Sequence, residues 1–407
     1  MRIIYSIGIR LYYLAALLIS PWNRKAKLWL EGRKFWYDKL KGVFNTDEKL
    51  IWFHCASLGE FEQGRPVIEA IRERRPDRKI LLTFFSPSGY EKRKDYTGAD
   101  YVMYLPLDTR KNAKKMLELL SPELVFFIKY EFWYHFLKQL KNAAIPVYLA
   151  SGNFRSGQLF FRWYGGWYRK FLDFFTHIFV QTEDSKVLLS GIGYHHVSVA
   201  GDTRFDRVHE LPLSKFSHPA LEDFAKGKQL IVAGSTWEKD EQLLAGAFEE
   251  LSREVKWIIA PHELSEGHIR SLQKRFPGSV LFTELGEKVP EGTRVILVDT
   301  IGMLSYLYRY GSMAYIGGGF GKGIHNILEA ATYGLPVIFG PEYGKFSEAL
   351  ELTSLGAAFP IGSEIELIST VRQQFEDPGL LKTTSAIAAN FVSTRVGATL
   401  AILKKCE

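Results

Sequence analysis

Cysteine is scarce: the 407 residues hold two, Cys55 and Cys406. Two thiols cannot build a disulfide framework or a cysteine metal site, and they give no sign of an oxidising compartment. The ten histidines contain no His-Glu-x-x-His spacing, and His195-His196 lacks carboxylate partners, so neither a catalytic metal nor a cofactor is expected. No Gly-x-Ser-x-Gly elbow occurs, which argues against serine acyl chemistry. Short repeats and low-complexity tracts are missing too. With 46% hydrophobic and 24% charged residues, the composition excludes a disordered chain.

At about 150 residues per domain, the length accommodates two to three domains, each able to bury its own core. Lys and Arg number 52 against 45 Asp and Glu, a formal net charge of +7. That sign favours anionic partners and leaves nucleic acid, anionic lipid and phosphorylated small molecules open. Aromatic residues make up 14% and cluster beside basic ones.

Residues 3–19 are apolar or weakly polar apart from Arg10. The segment is at or below the ~20 residues that span a bilayer. Arg10 and the lack of a small-residue cleavage site before Pro21-Trp22 argue against a cleaved signal. Arg24, Lys25, Lys27, Arg33, Lys34, Lys39 and Lys41 follow, with Trp22, Trp29, Trp36 and Tyr37 interleaved. Rings at headgroup level and cations on anionic lipid describe a shallow anchor on a membrane surface; a helix packed on the domain is the alternative. A second stretch, 160–175, sets Phe160, Trp163, Tyr164, Trp167, Phe171 and Phe175 beside Arg162, Arg169 and Lys170. It suits a lipid-touching surface or a core helix, and no RNA-binding motif supports nucleic acid.

From residue 50, short apolar runs alternate with amphipathic stretches. The pattern predicts strands at 50–54, 80–84, 101–104, 124–129, 147–150 and 178–181, with helices at 64–74, 87–94, 110–120, 134–141 and 185–189. The same grammar restarts after residue 210, with strands at 230–233, 255–260, 280–282, 295–298, 313–316 and 337–339. Helices are expected at 240–250, 265–275, 302–308 and 326–333. This is an α/β chain with two doubly wound, Rossmann-like parallel sheets whose carboxyl ends face a cleft. Its segments are 1–45, membrane-associating; 46–208, the first domain; and 209–407, the second.

The second half carries the strongest signal, Gly317-Gly318-Gly319-Phe320-Gly321-Lys322-Gly323-Ile324-His325-Asn326-Ile327-Leu328-Glu329. Glycines let backbone amides approach a ligand, and a helix expected from His325-Asn326 offers N–H groups to a phosphate. Glu329, three residues past Asn326, can accept from ribose hydroxyls. The loop lacks a Gly-Lys-Ser/Thr ending and is not the first βα turn of its half. A tight turn is the alternative, which the added His, Asn and Glu disfavour.

In the first half, His54-Cys55-Ala56-Ser57-Leu58-Gly59-Glu60 follows the first strand and places Glu60 for proton abstraction or for mere dipole complementation. Ser235 and Thr236, Pro261 and His262, and Arg204 stand at equivalent strand ends, as ligand contacts or as caps and ion pairs.

Together these residues resemble the Kdo transferase family, enzymes that attach 3-deoxy-D-manno-octulosonic acid (Kdo) to lipid A precursors. The matching pieces are His-Cys-Ala-Ser-Leu-Gly-Glu at 54–60, Glu131-Phe132-Trp133, Gly-Asp-Thr-Arg-Phe-Asp at 201–206, Asp-Thr-Ile-Gly at 299–302, and 317–341. The chain departs from the family pattern at Lys129, at Ala260-Pro261-His262 and at Met303.

The resemblance implies a metal-independent GT-B glycosyltransferase working on the cytoplasmic side of the inner membrane. It implies an anionic membrane surface as partner, cytidine monophosphate-Kdo (CMP-Kdo) as donor and a lipid A precursor as acceptor. Glu60 maps onto the catalytic base; Gly317, Gly318, Gly319, His325, Asn326 and Glu329 map onto the donor site, joined by Ser235, Thr236, Pro261 and His262. Ser57, Gly59, Glu131 and Arg204 are expected near acceptor or phosphate. A UDP-N-acetylglucosamine 2-epimerase-like enzyme and a non-catalytic membrane-docked sugar-nucleotide sensor are the rival readings.

Overall fold

A computed structural model describes residues 1–44 and 48–406. The chain divides into two compact units: Met1–Asp206 with Gly397–Glu407, and Arg207–Val396. The boundary anticipated at 45/46 lies outside the described residues. The division at Asp206 falls inside the helix Thr203–His209.

The first unit is built on seven strands: β1 (Leu50–Cys55), β2 (Lys79–Phe84), β3 (Tyr101–Tyr104), β4 (Leu124–Ile128), β5 (Val147–Gly152), β6 (His177–Val180) and β7 (Val197–Val199). Their order is 3-2-1-4-5-6-7, and all neighbours are parallel. The continuous apolar runs follow from this placement, because helices cover both faces. Every residue of β1 is buried, including its one polar member, His54. One face packs Trp52, Phe127 and Phe136, the other Phe53, Phe126 and Phe61.

The second unit repeats the plan with β8 (Leu230–Thr236), β9 (Lys256–Pro261), β10 (Val280–Leu281), β11 (Val295–Leu297), β12 (Met313–Ile316), β13 (Val337–Phe339) and β14 (Ala358–Pro360). Their order is 10-11-9-8-12-13-14, again all parallel. β14 escaped the sequence pattern because it has three residues and ends in proline at the sheet's edge.

In each sheet two central strands send their connections in opposite directions: β1 and β4 in the first, β8 and β12 in the second. Such a reversal opens a crevice at the strands' carboxyl ends. The loops after these four strands carry most of the residues singled out in the sequence.

Three differences from the sequence pattern have physical causes. The helix expected from Gly64 begins at Leu58, and Gly64 lies within it because a side chain there would press on Ile128 and Cys55. The helix expected from Asn326 is one turn, Leu328–Ala331, with Ile327 as its N-cap; before it the Asn326 carboxamide oxygen accepts from Leu328 N–H at 3.1 Å, closing a side-chain turn instead of a first helical turn. The last helix, Ala398–Cys406, belongs to the first unit rather than the second. There Ile402 and Leu403 join the core of β1 and the Leu58–Arg74 helix. Asp206 holds its start, accepting from Gly397 N–H, from Thr399 N–H and from the Thr399 hydroxyl, the last two at 2.7 Å.

The N-terminal helix Arg2–Ile19 buries only Ala16 and leaves Ile3, Ile4, Leu11, Leu14 and Leu18 more than half exposed. By length and composition it could cross a membrane. One edge is docked: the Tyr5 hydroxyl donates to Asp108 at 2.6 Å, and Ser6 Oγ lies 2.9 Å from His135 Nε2. Burial lifts the Asp108 carboxyl to about 6, although Tyr5 and the His135 and Phe136 amides donate to it. The basic run does not all face outward. Arg33 is buried, its guanidinium spent on the Leu105, Phe85 and Trp29 carbonyls, and Trp29 is buried against it. Trp22 and Phe35, at 86% and 73% exposure, are rings of that run left in the open. The 160–175 stretch divides likewise: Phe160, Phe171 and Phe175 are core, whereas Trp163 is 91% exposed.

Candidate active site

In the first unit, β1 ends at Cys55 and the next helix starts from Ser57, so Glu60 occupies the first helical turn at the sheet's carboxyl edge. The Ser57 hydroxyl donates to Glu60 Oε2. This takes the place of the usual cap, in which the serine oxygen would accept from the helix amides. Gly59, beside them, is exposed, and a Cβ there would meet no more than Ser57 Oγ.

Behind this turn lies a buried polar chain. Trp52 Nε1 donates to Thr83 Oγ1 at 2.8 Å, and His54 Nδ1 lies 2.9 Å from the same hydroxyl. His54 Nε2 lies 3.0 Å from Glu131 Oε2, to which Trp133 Nε1 donates at 2.6 Å. The network joins β1 and β2 to the loop after β4, and β1 and β4 are the pair at the reversal point. Polar groups so deep are tolerated because each has partners. Its outer member, Glu131, was anticipated; Thr83 was not, since a threonine in an apolar strand has no sequence signature. Arg204, anticipated as an anion contact, is held in its own turn by Asp202, with its Nε 2.9 Å from Oδ2.

In the second unit the loop after β12 folds onto the loop after β8. Gly317 N–H donates to the Gly234 carbonyl at 2.9 Å, and Gly318 N–H donates to Asp240 Oδ2 at 2.9 Å. Two of the three glycine amides expected to meet a ligand are thus engaged within the protein. The glycines are required for closeness: a Cβ on Gly317 would collide with the Ser235 carbonyl, and one on Gly319 with the Gly340 backbone. Gly318 also has φ +93°, which disfavours any side chain.

The anticipated Ser235, itself at φ +55°, sits in the tightest part of this contact, and Thr236 is buried with its hydroxyl donating to Glu241 at 3.1 Å. Pro261 pairs with Thr236 across the sheet, and His262 N–H donates to the Thr236 carbonyl at 2.9 Å. His262 stacks on Trp237 at 4.4 Å and on His325 at 4.7 Å between centroids. Trp237 Nε1 donates to His325 Nε2 at 3.1 Å, which requires that nitrogen to be unprotonated. Burial, helped by His262, lowers His325 to about 4, consistent with the neutral ring. Asn326 Nδ2 donates to Glu329 Oε1 at 3.1 Å. Burial raises the Glu329 carboxyl, against the pull of Arg207 and Asn326.

A cavity of about 640 Å³ opens between the first turn of the helix Glu238–Glu250 and the glycine loop, with Trp237, Lys239, Phe320, Lys322 and His325 in its wall. Its size suits a small-molecule ligand. Trp237 and Asp240 were not anticipated as site residues. The only available signal was the N-cap spacing of three between them.

A profile described as 3-Deoxy-D-manno-octulosonic-acid transferase (kdotransferase) matches residues 30–207, the stretch holding Glu60 and Glu131. The 3-deoxy-D-manno-octulosonic acid transferase of Aquifex aeolicus is 30% identical over 334 residues, covering 79% of this chain and 85% of that protein. The chain belongs to the Kdo transferase family. A Kdo transferase of Bordetella pertussis is 25% identical over 381 residues, covering 88% of this chain and 86% of its own. In fold, this Kdo transferase relative is similar to the UDP-GlcNAc 2-epimerase of Neisseria meningitidis bound to UDP-GlcNAc, with a TM-score of 0.61 at 16% identity. That likeness covers 88% of this chain and 99% of the epimerase. It is one of fold alone, and it fits the two parallel-sheet units of the GT-B class. Family membership makes the chain a glycosyltransferase by descent.

Proposed function

We propose that the protein transfers Kdo from CMP-Kdo to the glucosamine disaccharide of a lipid A precursor, lipid IVA, with inversion and with Glu60 as general base. The observation that carries this reading is the placement of Glu60: a carboxylate on the first helical turn beyond β1, held by Ser57, at the crevice of the first sheet. Glu60 would take the proton of a primary hydroxyl of the acceptor. The freed oxygen electrons form the bond to the donor's anomeric carbon from the face opposite the nucleotide. The bond from that carbon to the phosphate oxygen breaks, and cytidine monophosphate leaves with the electron pair. General-base assistance of this kind contributes about 10²–10⁴-fold.

The leaving phosphate's charge needs fixed donors. With the Gly317 and Gly318 amides engaged, the groups assigned to meet it are the Gly319 amide, Ser235 and the cavity lysines, Lys239 and Lys322. Glu329 and Asn326 are assigned to the ribose. Thr236, Pro261 and His262 set the cavity wall, and Gly59, Glu131 and Arg204 stand on the acceptor side. This reading puts the protein on the cytoplasmic face of the inner membrane; the exposed apolar face of Arg2–Ile19 and Trp22 support contact with a membrane surface.

The test is incubation with CMP-Kdo and tetraacyl lipid A precursor followed by mass spectrometry. A gain of one or more Kdo units on the lipid is expected. Unaltered lipid with bound nucleotide would instead indicate a sensor, and epimerised UDP-GlcNAc an epimerase.

A further inference from the structure

Asp240 is 1% exposed and lies in the first turn of the helix that follows β8. Its Oδ2 accepts from Trp237 N–H and from Gly318 N–H, both at 2.9 Å, and its Oδ1 accepts from the Tyr315 hydroxyl at 2.8 Å. The first contact is an ordinary capping bond. The other two are not local: Tyr315 belongs to β12 and Gly318 to the loop that leaves it, 75 and 78 residues away. One buried carboxylate therefore ties the strand, the glycine loop and the Trp237 corner together, and those last two form facing walls of the cavity. Trp237 in turn stacks on His262 and donates to His325, so its position passes to both rings.

We infer that Asp240 is the positioning residue of the donor cavity, setting the distance between the glycine loop and Trp237 by accepting from both amides at once. The inference rests on the reading of this cavity as the nucleotide site. The required chemistry is specific to a carboxylate. An asparagine of the same shape can keep the Tyr315 bond, but it then turns an NH2 donor toward two N–H donors, and the loop and the corner must move apart.

The test uses the full-length protein with cytidine monophosphate as probe, measured by calorimetry beside the melting temperature. Asp240→Asn is expected to weaken nucleotide binding about tenfold and to raise KM for the donor by a similar factor, leaving kcat at saturating donor within about twofold. Tyr315→Phe removes the anchor and keeps both amide bonds, so it is expected to weaken binding about threefold and serves as the probe if Asp240→Asn fails to fold. A purely structural role would lower the melting temperature without moving the dissociation constant measured below it. A folded Asp240→Asn protein that binds nucleotide as the wild type does, or Tyr315→Phe with unchanged affinity where the first variant does not fold, overturns the inference. Wild-type protein that binds no cytidine monophosphate overturns the reading of the cavity itself, and the inference with it.

Discussion

Glu60 stands at the edge of a sheet that has buried a chain of polar side chains behind it, from Trp52 through Thr83, His54 and Glu131 to Trp133. The crevice of the second sheet is made differently: backbone lies on backbone at Gly317, Gly319 and Gly340, and the main side-chain tie is Asp240. Both crevices arise at the same place in the same topology. The first spends its polar groups on fixing side chains that can carry a proton; the second spends side-chain volume to bring two loops close enough to enclose a ligand. On this contrast, changes in the first unit should act on turnover and changes in the second on donor affinity.

The sharpest way to break that division is at Glu60. Glu60→Gln should lower turnover by about 10²–10⁴-fold while cytidine monophosphate binds as before; near-normal turnover would remove the residue from the base role. Next in size, Gly318→Ala puts a Cβ on a residue at φ +93° that faces the Gly323 carbonyl, and nucleotide affinity should fall about tenfold, read by calorimetry. Of similar or smaller size, Glu329→Ala should weaken nucleotide binding a few-fold, and an unchanged dissociation constant would detach Glu329 from the ribose. Trp133→Phe leaves Glu131 without its 2.6 Å donor and should cost about 1–3 kcal/mol in denaturant unfolding, with lower turnover and unchanged nucleotide binding.

The smallest effect is one of pH. The folded protein holds His325 at about 4, below its ordinary 6.5, so the native state binds fewer protons than the unfolded one in that interval. The stability this ring contributes is complete above about 6.5 and is lost as the pH falls toward 4. Melting temperatures across that range should fall less steeply for His325→Gln than for the wild type.

The alternation of apolar runs revealed the parallel sheets because both faces are covered and the strands read as unbroken hydrophobic segments. The edge strand β14 carries no such run. The strand-end positions of Glu60 and of the glycine loop were legible because strand ends announce themselves by abrupt changes in composition, whereas the base role of Glu60 came from the family resemblance. Asp240 was hidden, since its partners lie 75 and 78 residues away and a lone aspartate in a first helical turn looks like a cap. The basic run near the N-terminus was misleading in part. Arg33 reads as one more surface cation, yet three backbone carbonyls and the Trp29 ring make its burial affordable.

The return of the last helix to the first unit has a consequence for the order in which the molecule is made. Ile402 and Leu403 pack into the core beneath β1, and Asp206 waits for the Gly397 and Thr399 amides. During synthesis the second unit, one unbroken stretch from Arg207 to Val396, is complete before the first can close its core. A fragment that stops before residue 397 would leave an apolar seam open on the side that carries Glu60's helix.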